Sequence, residues 1–432
     1  YAAANTTTGA HNTAVGSESL YTNTTGGQNV AIGNYALRCS TTASANTAQG
    51  YAALMKNTTG THNTASGYKV MECNTTGNWN TASGKYALRY NTTAPYNVAF
   101  GACTLFNNTT GENNTAVGYQ ALKTNTGSND NTAVGTYALC LTTGHSNVAV
   151  GKSAVQGNTT GTQNTGVGKF ALAANTTASY NTGIGMCAGY TNTTGTWNTA
   201  IGYASFMSNT TGSYNTASGM YALRNNTTGS FNTATGVRAL GANTTASYNT
   251  AMGTCSIYTN TTGTENTAMG FRSMAANTTG SYNTAIGQQS LCKNTTGQYN
   301  TAVGLNALKL NTSGNYNQAF GVSALYANTT GANNTAFGAL ALMSNTTGVN
   351  NTAVGFGTLD ESTTAYDSTA VGTQAMAATT TGHRNNAFGR LALGANTTGA
   401  KNNAFGAFAM RYNTTGHNNT ALGRYALKTN TS

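Results

Sequence analysis

Asn283 to Tyr299 reads N-T-A-I-G-Q-Q-S-L-C-K-N-T-T-G-Q-Y. Glycine or the string N-T-T-G interrupts it every eight to ten residues, and such interruptions cost too much free energy for a helix to form. What remains is two short extended segments, one around N-T-A-I-G and one around Q-Q-S-L. Asn at the first corner and Gly at the fourth make N-T-T-G a type I turn. Strand, kink at glycine, strand and turn describe one coil of a solenoid.

Working outward, the same unit begins at Asn12, Asn29, Asn46, Asn63, Asn80, Asn97, Asn114 and Asn131, each 17 residues after the last. One step of 16 leads to Asn147, and the spacing of 17 then holds through Asn419, which makes 25 copies. The fifth position is always glycine, from Gly16 to Gly423. The third is alanine except at Gly166 and Gly183. The fourth is mostly Val, Ile, Phe, Met or Leu, with polar exceptions at Gln49, Ser66, Ser83, Ser218 and Thr235. The eighth is small except at Val70, and the ninth is Leu or another apolar residue except at Gly189.

One such coil buries too little to fold alone, so neighbours must stack. Stacking puts Leu on Leu at the ninth position and lets Asn and Thr hydrogen-bond along the axis. The expected fold class is all-β, a parallel β-solenoid or β-roll running through residues 1–432 as one continuous repeat domain. Twenty-five coils with strands about 4.8 Å apart would form a rod on the order of 120 Å long. The sequence starts and stops partway through a repeat, so capping or anchor domains are expected to lie outside it.

Composition agrees with a repeat array. Only 6% of residues are charged, 38% are hydrophobic, and 53 are glycine. Disordered chains combine high charge with few apolar residues, unlike this one. The net charge of +11 comes from 19 Lys and Arg against 8 Asp and Glu, less than one basic residue per repeat. It reads chiefly as a solubility device. Polyanion binding is the sharper reading, because Arg384, Arg390, Lys401, Arg411, Arg424 and Lys428 follow the last acid, Asp367. No apolar run is long enough to span a membrane, and no secretion signal is visible.

The string N-T-A-V-G-Y-Q-A-L at Asn114 to Leu122 resembles the repeats of trimeric autotransporter adhesin heads. It is also similar to N-T-A-x-G-x-x-A-L arrays of phage and viral tail fibres. The resemblance covers essentially the whole chain. It implies a left-handed β-roll and a homotrimer. The adhesin repeat is shorter, and the additional residues here fall in the N-T-T-G loop.

No catalytic constellation, metal site or cofactor motif stands out, and an enzyme is the least favoured class. The acids are scattered, and the five histidines (His11, His62, His145, His383, His417) fall in the loop before a repeat. The seven cysteines never occupy neighbouring coils. Positions two coils apart lie about 10 Å from each other, beyond disulfide reach. They are expected to be buried, unpaired thiols, which favours assembly in a reducing compartment. Most coils also spell N-x-T, here the corner of a turn before it is a glycan acceptor.

The last position of the repeat carries Tyr180, Trp197, Tyr214, Phe231, Tyr248, Glu265, Tyr282, Tyr299 and Tyr316, with Trp79 and Tyr96 as an earlier pair. The bland reading is a stacking ladder that stiffens the loop edge. The functional reading is a ligand-binding stripe for a host-surface glycan, made of the eight aromatics among those nine. Ice binding is weak, because the paired Thr-Thr lies in a turn. The expectation is therefore a structural or adhesive fibre shaft on a virion or cell surface, self-associating as a homotrimer or filament, without a nucleic-acid partner. A trimeric cell-surface adhesin or carbohydrate-binding rod is the alternative.

Overall fold

Each coil contributes one strand of three residues, the N-T-A-V part of the repeat without its Asn. The computed structural model describes residues 1–431. It divides into two compact units, Tyr1–Tyr214 and a second beginning at Asn215. The first holds twelve strands, from β1 (Thr13–Val15) to β12 (Thr199–Ile201), and the second thirteen, from β13 (Thr216–Ser218) to β25 (Thr420–Leu422). Within each unit successive strands pair in parallel and in register. Ala14 lies opposite Ala31 in the first, and Ala302 opposite Ala319 in the second. The fold is thus the all-β parallel solenoid that the 17-residue period predicts. No helix occurs among the described residues.

The one 16-residue step leaves the strands untouched, since Thr132 still pairs with Val148. The missing residue falls in the loop, where Thr142 takes the place of the turn asparagine. Its hydroxyl accepts a bond from Asn158 Nδ2 at 2.9 Å.

The second extended segment is not present, and this corrects the two-strand coil. From the sixth to the eleventh position the backbone turns repeatedly. Tyr35 and Leu37 sit at φ 63° and 49°, a left-handed conformation repeated at the equivalent residues of nearly every coil. Bonds three residues apart tighten the segment, as from Ala36 N to Gly33 O and from Ser40 N to Leu37 O. The segment still bonds to both neighbouring coils, Tyr35 N donating to Ser17 O and Leu37 N to Ala53 O. Left-handed backbone costs a non-glycine residue roughly 1–2 kcal/mol. Inter-coil hydrogen bonds and the burial of Leu37, which is fully covered, offset it.

Glycine at the fifth position is a steric requirement. Gly33 has φ 129°, and a Cβ on it would stand 2.5 Å from Gly50 O in the next coil.

The core is a narrow column. Between the first and last coils, Ala at the third position and Leu, Met or Ile at the ninth are buried, as at Ala31, Leu37 and Met71, or Ala285, Leu291 and Leu308. In the end coils Ala14 is only partly buried and Leu427 is exposed. Beside this apolar column run two ladders of fully buried asparagine. In the coil beginning at Asn46, the Nδ2 of Asn46 and that of Asn57 both donate to Gly60 O, at 2.9 Å each. Asn57 Oδ1 accepts from Asn74 Nδ2 at 2.8 Å, and Asn46 Oδ1 accepts from Asn63 N at 2.9 Å. A buried amide without partners would cost several kcal/mol. Repetition supplies most of these amides with a partner in the next coil. Where the next coil has Ser40, Thr142 or Ser362 instead of asparagine, the Oδ1 of Asn23, Asn125 or Asn345 is left without one.

Candidate interaction surfaces

Three strips of surface follow from where the repeat positions point. The first lies on the strands. Neighbouring strand residues face opposite ways, so burying the third position turns the fourth outward. Val15, Ile32 and Phe100 in the first unit, and Met252, Ile286 and Phe337 in the second, are exposed. No fourth-position residue is buried in any coil. Some of these side chains meet their neighbours, as where Phe388 and Phe405 stack 5.0 Å apart.

The second strip is the aromatic edge at the last position. In the first unit Tyr180 and Trp197 stack at 4.1 Å with planes 6° apart, and Trp197 and Tyr214 at 6.4 Å and 4°. In the second unit Phe231 and Tyr248 stack at 5.0 Å, Tyr282 and Tyr299 at 4.8 Å, and Tyr299 and Tyr316 at 4.9 Å. The separations in the second unit match the spacing of adjacent strands. The rings meet face to face, yet each remains 44–58% exposed, so their rims line the surface. Glu265 interrupts the row, and its charge pushes the Tyr282 phenol above its ordinary pKa. Sequence reasoning missed that histidine joins this edge: His62 stacks on Trp79 at 3.9 Å. The signal was available, because His62 occupies the same repeat position.

The third strip is basic, and sequence reasoning missed it too. Phased on the repeat, seventeen of the nineteen Lys and Arg fall at the sixth, seventh, tenth or eleventh position, facing only four acids there. Arg384 and Lys401 are the exceptions. Many of these cations lie over rings of the same edge, as Arg89 does over Tyr86 and Tyr90 at 5.0 Å and Arg424 over Tyr425 at 4.7 Å. Glu72 is bracketed by Lys69 at 3.1 Å and Arg89 at 2.7 Å. Burial opposes ionisation of Glu72, but hydrogen bonds and charge from Arg89 and Lys69 outweigh it and hold the carboxyl below its ordinary pKa.

Among the described residues no group of three His, Cys, Asp or Glu could hold a metal ion, and no helix is long and apolar enough to cross a membrane. His145 Nδ1 accepts a bond from Asn129 N, and His417 Nδ1 one from Ala400 N. All seven cysteines are free thiols. Only Cys140 and Cys292 are buried, which corrects the expectation of seven buried thiols; the others stand on the turn segment and are partly exposed. Burial raises the Cys140 thiol pKa. Asparagines of the N-T-T-G turn, such as Asn23, Asn57 and Asn413, are fully buried in their ladder, so the folded coil hides those N-x-T acceptors.

Fold and surfaces together define a repeat protein of the parallel β-solenoid class. No protein-family model matches the chain, and comparison with curated proteins finds no match.

Proposed function

We propose that the chain is the shaft of a structural fibre, of the viral or phage tail-fibre kind, which self-associates as a homotrimer and carries a receptor-binding end. The observation that supports this is the fourth position. Twenty of the 25 coils turn Val, Ile, Phe, Met or Leu outward on the strand face, with breaks only at Gln49, Ser66 and Ser83 and at Ser218 and Thr235. A monomer rarely leaves apolar rows of this length uncovered. A second copy of the same strip is its natural cover, because the spacing of the two is identical. The sequence resemblance to trimeric adhesin heads and tail-fibre repeats points the same way. Seven unlinked thiols suit assembly in a reducing compartment before display on a virion or outer surface. The role is mechanical, not catalytic.

Adhesion through the aromatic edge is the second reading, favoured by the exposure of that edge. Face-to-face stacking weighs against it, because a sugar needs an open ring face and here most faces are covered by the neighbouring ring.

Light scattering at micromolar concentration tests the first reading. The expected mass is three times 44.0 kDa. Replacing Ile184, Ile201, Ile286 and Phe337 by Ser should return single chains with the β signature retained. A wild-type protein that runs as one chain refutes the proposal.

A further inference from the structure

In the second unit the basic edge is hollowed. Along the tenth position Arg224, Gly241, Tyr258 and Ala275 alternate large and small, so the missing side chains leave depressions between the large ones. Tyr258 leans over Gly241, its ring 3.1 Å from where a Cβ there would stand. One hollow of about 110 Å³ is bordered by Tyr221, Arg224, Arg238 and Tyr258. A second of about 420 Å³ shares Arg238 and Tyr258 and adds Phe271, Arg272 and Lys293.

Four cations therefore line one groove: Arg224, Arg238, Arg272 and Lys293. All four are exposed. None makes an ion pair among the described residues, and the nearest acids on this edge of the unit are Asp360 and Glu361. Arg238 and Arg272 occupy the same repeat position two coils apart, a separation of about 10 Å along the stack. Three of the four are arginines, whose planar fork matches an oxyanion with two donors at once.

We propose that this groove binds a linear sulfated polysaccharide, with the sulfates on the cationic groups of Arg224, Arg238, Arg272 and Lys293 and the sugar backbone running along the hollows past Tyr258 and Phe271. A nucleic acid has the charge but would also use open ring faces for its bases. Here the Arg224 guanidinium already lies over the Tyr221 ring at 4.8 Å. The inference concerns a different edge from the aromatic stripe and stands independently of the fibre reading.

The test uses the full chain and short heparin oligosaccharides, titrated at low and physiological salt. Binding should weaken as salt rises. The variant Arg224→Gln, Arg238→Gln, Arg272→Gln, Lys293→Gln should lose affinity by at least about tenfold, with its melting unchanged because all four side chains are exposed. A control with the same net charge replaces Lys85, Lys123, Lys152 and Lys169 by Gln and should bind as the parent does. The single Arg272→Gln variant should show a smaller loss in the same direction. Equal losses in the two fourfold variants would mean diffuse charge and overturn the proposal. So would undiminished binding of desulfated oligosaccharide, or tighter binding of a charge-matched single-stranded oligonucleotide.

Discussion

Leu172 Cγ lies 2.8 Å from the point where a Cβ on Gly183 would stand. Leu172 fills the ninth position of its coil, and the next coil has Gly189 there in place of the usual Leu. Leu172 leans into that space, its Cδ2 2.7 Å from the Cβ that Gly189 lacks. Gly183, one of the two third positions that are not alanine, clears the way. The three residues are one packing solution spread over two coils. Gly183→Ala should therefore lower stability by about 1–3 kcal/mol, as overpacking does, although Ala is the consensus residue. Urea denaturation should show this, and adding Leu172→Ala should make the further loss smaller than the sum of the two single effects. A neutral Gly183→Ala would mean that the column yields more readily than this packing implies.

The asparagine ladder makes a second quantitative claim. Asn277 Nδ2 donates to Asn260 Oδ1 at 2.8 Å and to Gly280 O at 2.9 Å, while its Oδ1 accepts from Asn294 at 2.9 Å. Asn277→Ala removes all three bonds and leaves the buried Asn260 Oδ1 without its donor, while Asn294 keeps its bond to Gly297 O. The cost should be about 1–3 kcal/mol. Thr142 already fills this position in another coil and accepts from Asn158, so Asn277→Thr should cost less than Asn277→Ala. Denaturation midpoints that rank the two variants the other way would show that the ladder does not stabilise the fold through its amides.

Much of this architecture was legible from spacing. Strict recurrence of Asn, Ala, Gly and Leu defined the coil, and the third and fourth positions had to face opposite ways. The spacing did not say which of them fills the core; the structure gives that place to Ala. The left-handed residues were not legible, because Tyr35 and Leu37 are side chains that seldom adopt positive φ, and nothing in their identity announces it. Asn57 was read as a turn corner, which it is. That it is also core could not be seen, because asparagine is ordinarily an exposed residue. The basic edge was legible in principle. It was missed because charge was averaged over the chain and not phased on the repeat. The exposed thiols are a similar case: Cys39, Cys73, Cys103, Cys187 and Cys255 sit at turn-segment positions whose outward direction depends on the unforeseen backbone.

Glu72 gives the first unit a pH signature. Its folded pKa is depressed by Arg89 and Lys69. The ion cluster therefore contributes stability above the ordinary carboxyl value near 4.5, and this is lost as pH falls through the lower folded value. Glu72→Gln should remove that component. Thermal melts from pH 6 down to pH 3 should fall less steeply for the variant than for the parent. Parallel pH profiles would show that the cluster is solvated enough to contribute nothing.

Thiol reactivity tests the coil positions directly. Alkylation of the native protein under non-reducing conditions should label Cys39, Cys73, Cys103, Cys187 and Cys255 first. Cys140 and Cys292 should lag until the chain is unfolded, since both are buried and the Cys140 thiolate is further disfavoured by desolvation. Peptide mass spectrometry should find all seven free. Several intrachain disulfides would contradict both the coil spacing and assembly in a reducing compartment.

The aromatic edge separates adhesion from mechanics. Stacked pairs add roughly 0.5–1.5 kcal/mol each beyond burial. Trp197 stacks on both Tyr180 and Tyr214, and Tyr248 stacks on Phe231. Replacing Trp197, Tyr214 and Tyr248 by Ala therefore removes all three stacks, two in the first unit and one in the second. Because the ring faces are turned to one another, the expected result is a lower melting temperature with attachment to glycans or cells unchanged. The adhesive reading expects the reverse: melting close to the parent's and attachment lost. Measuring both on the same preparation decides between them, since a stacking ladder acts through the fold alone and a binding stripe through the ligand. A triple variant that melts like the parent and no longer attaches would return Tyr180 to Tyr316 to the binding surface and refute the mechanical reading.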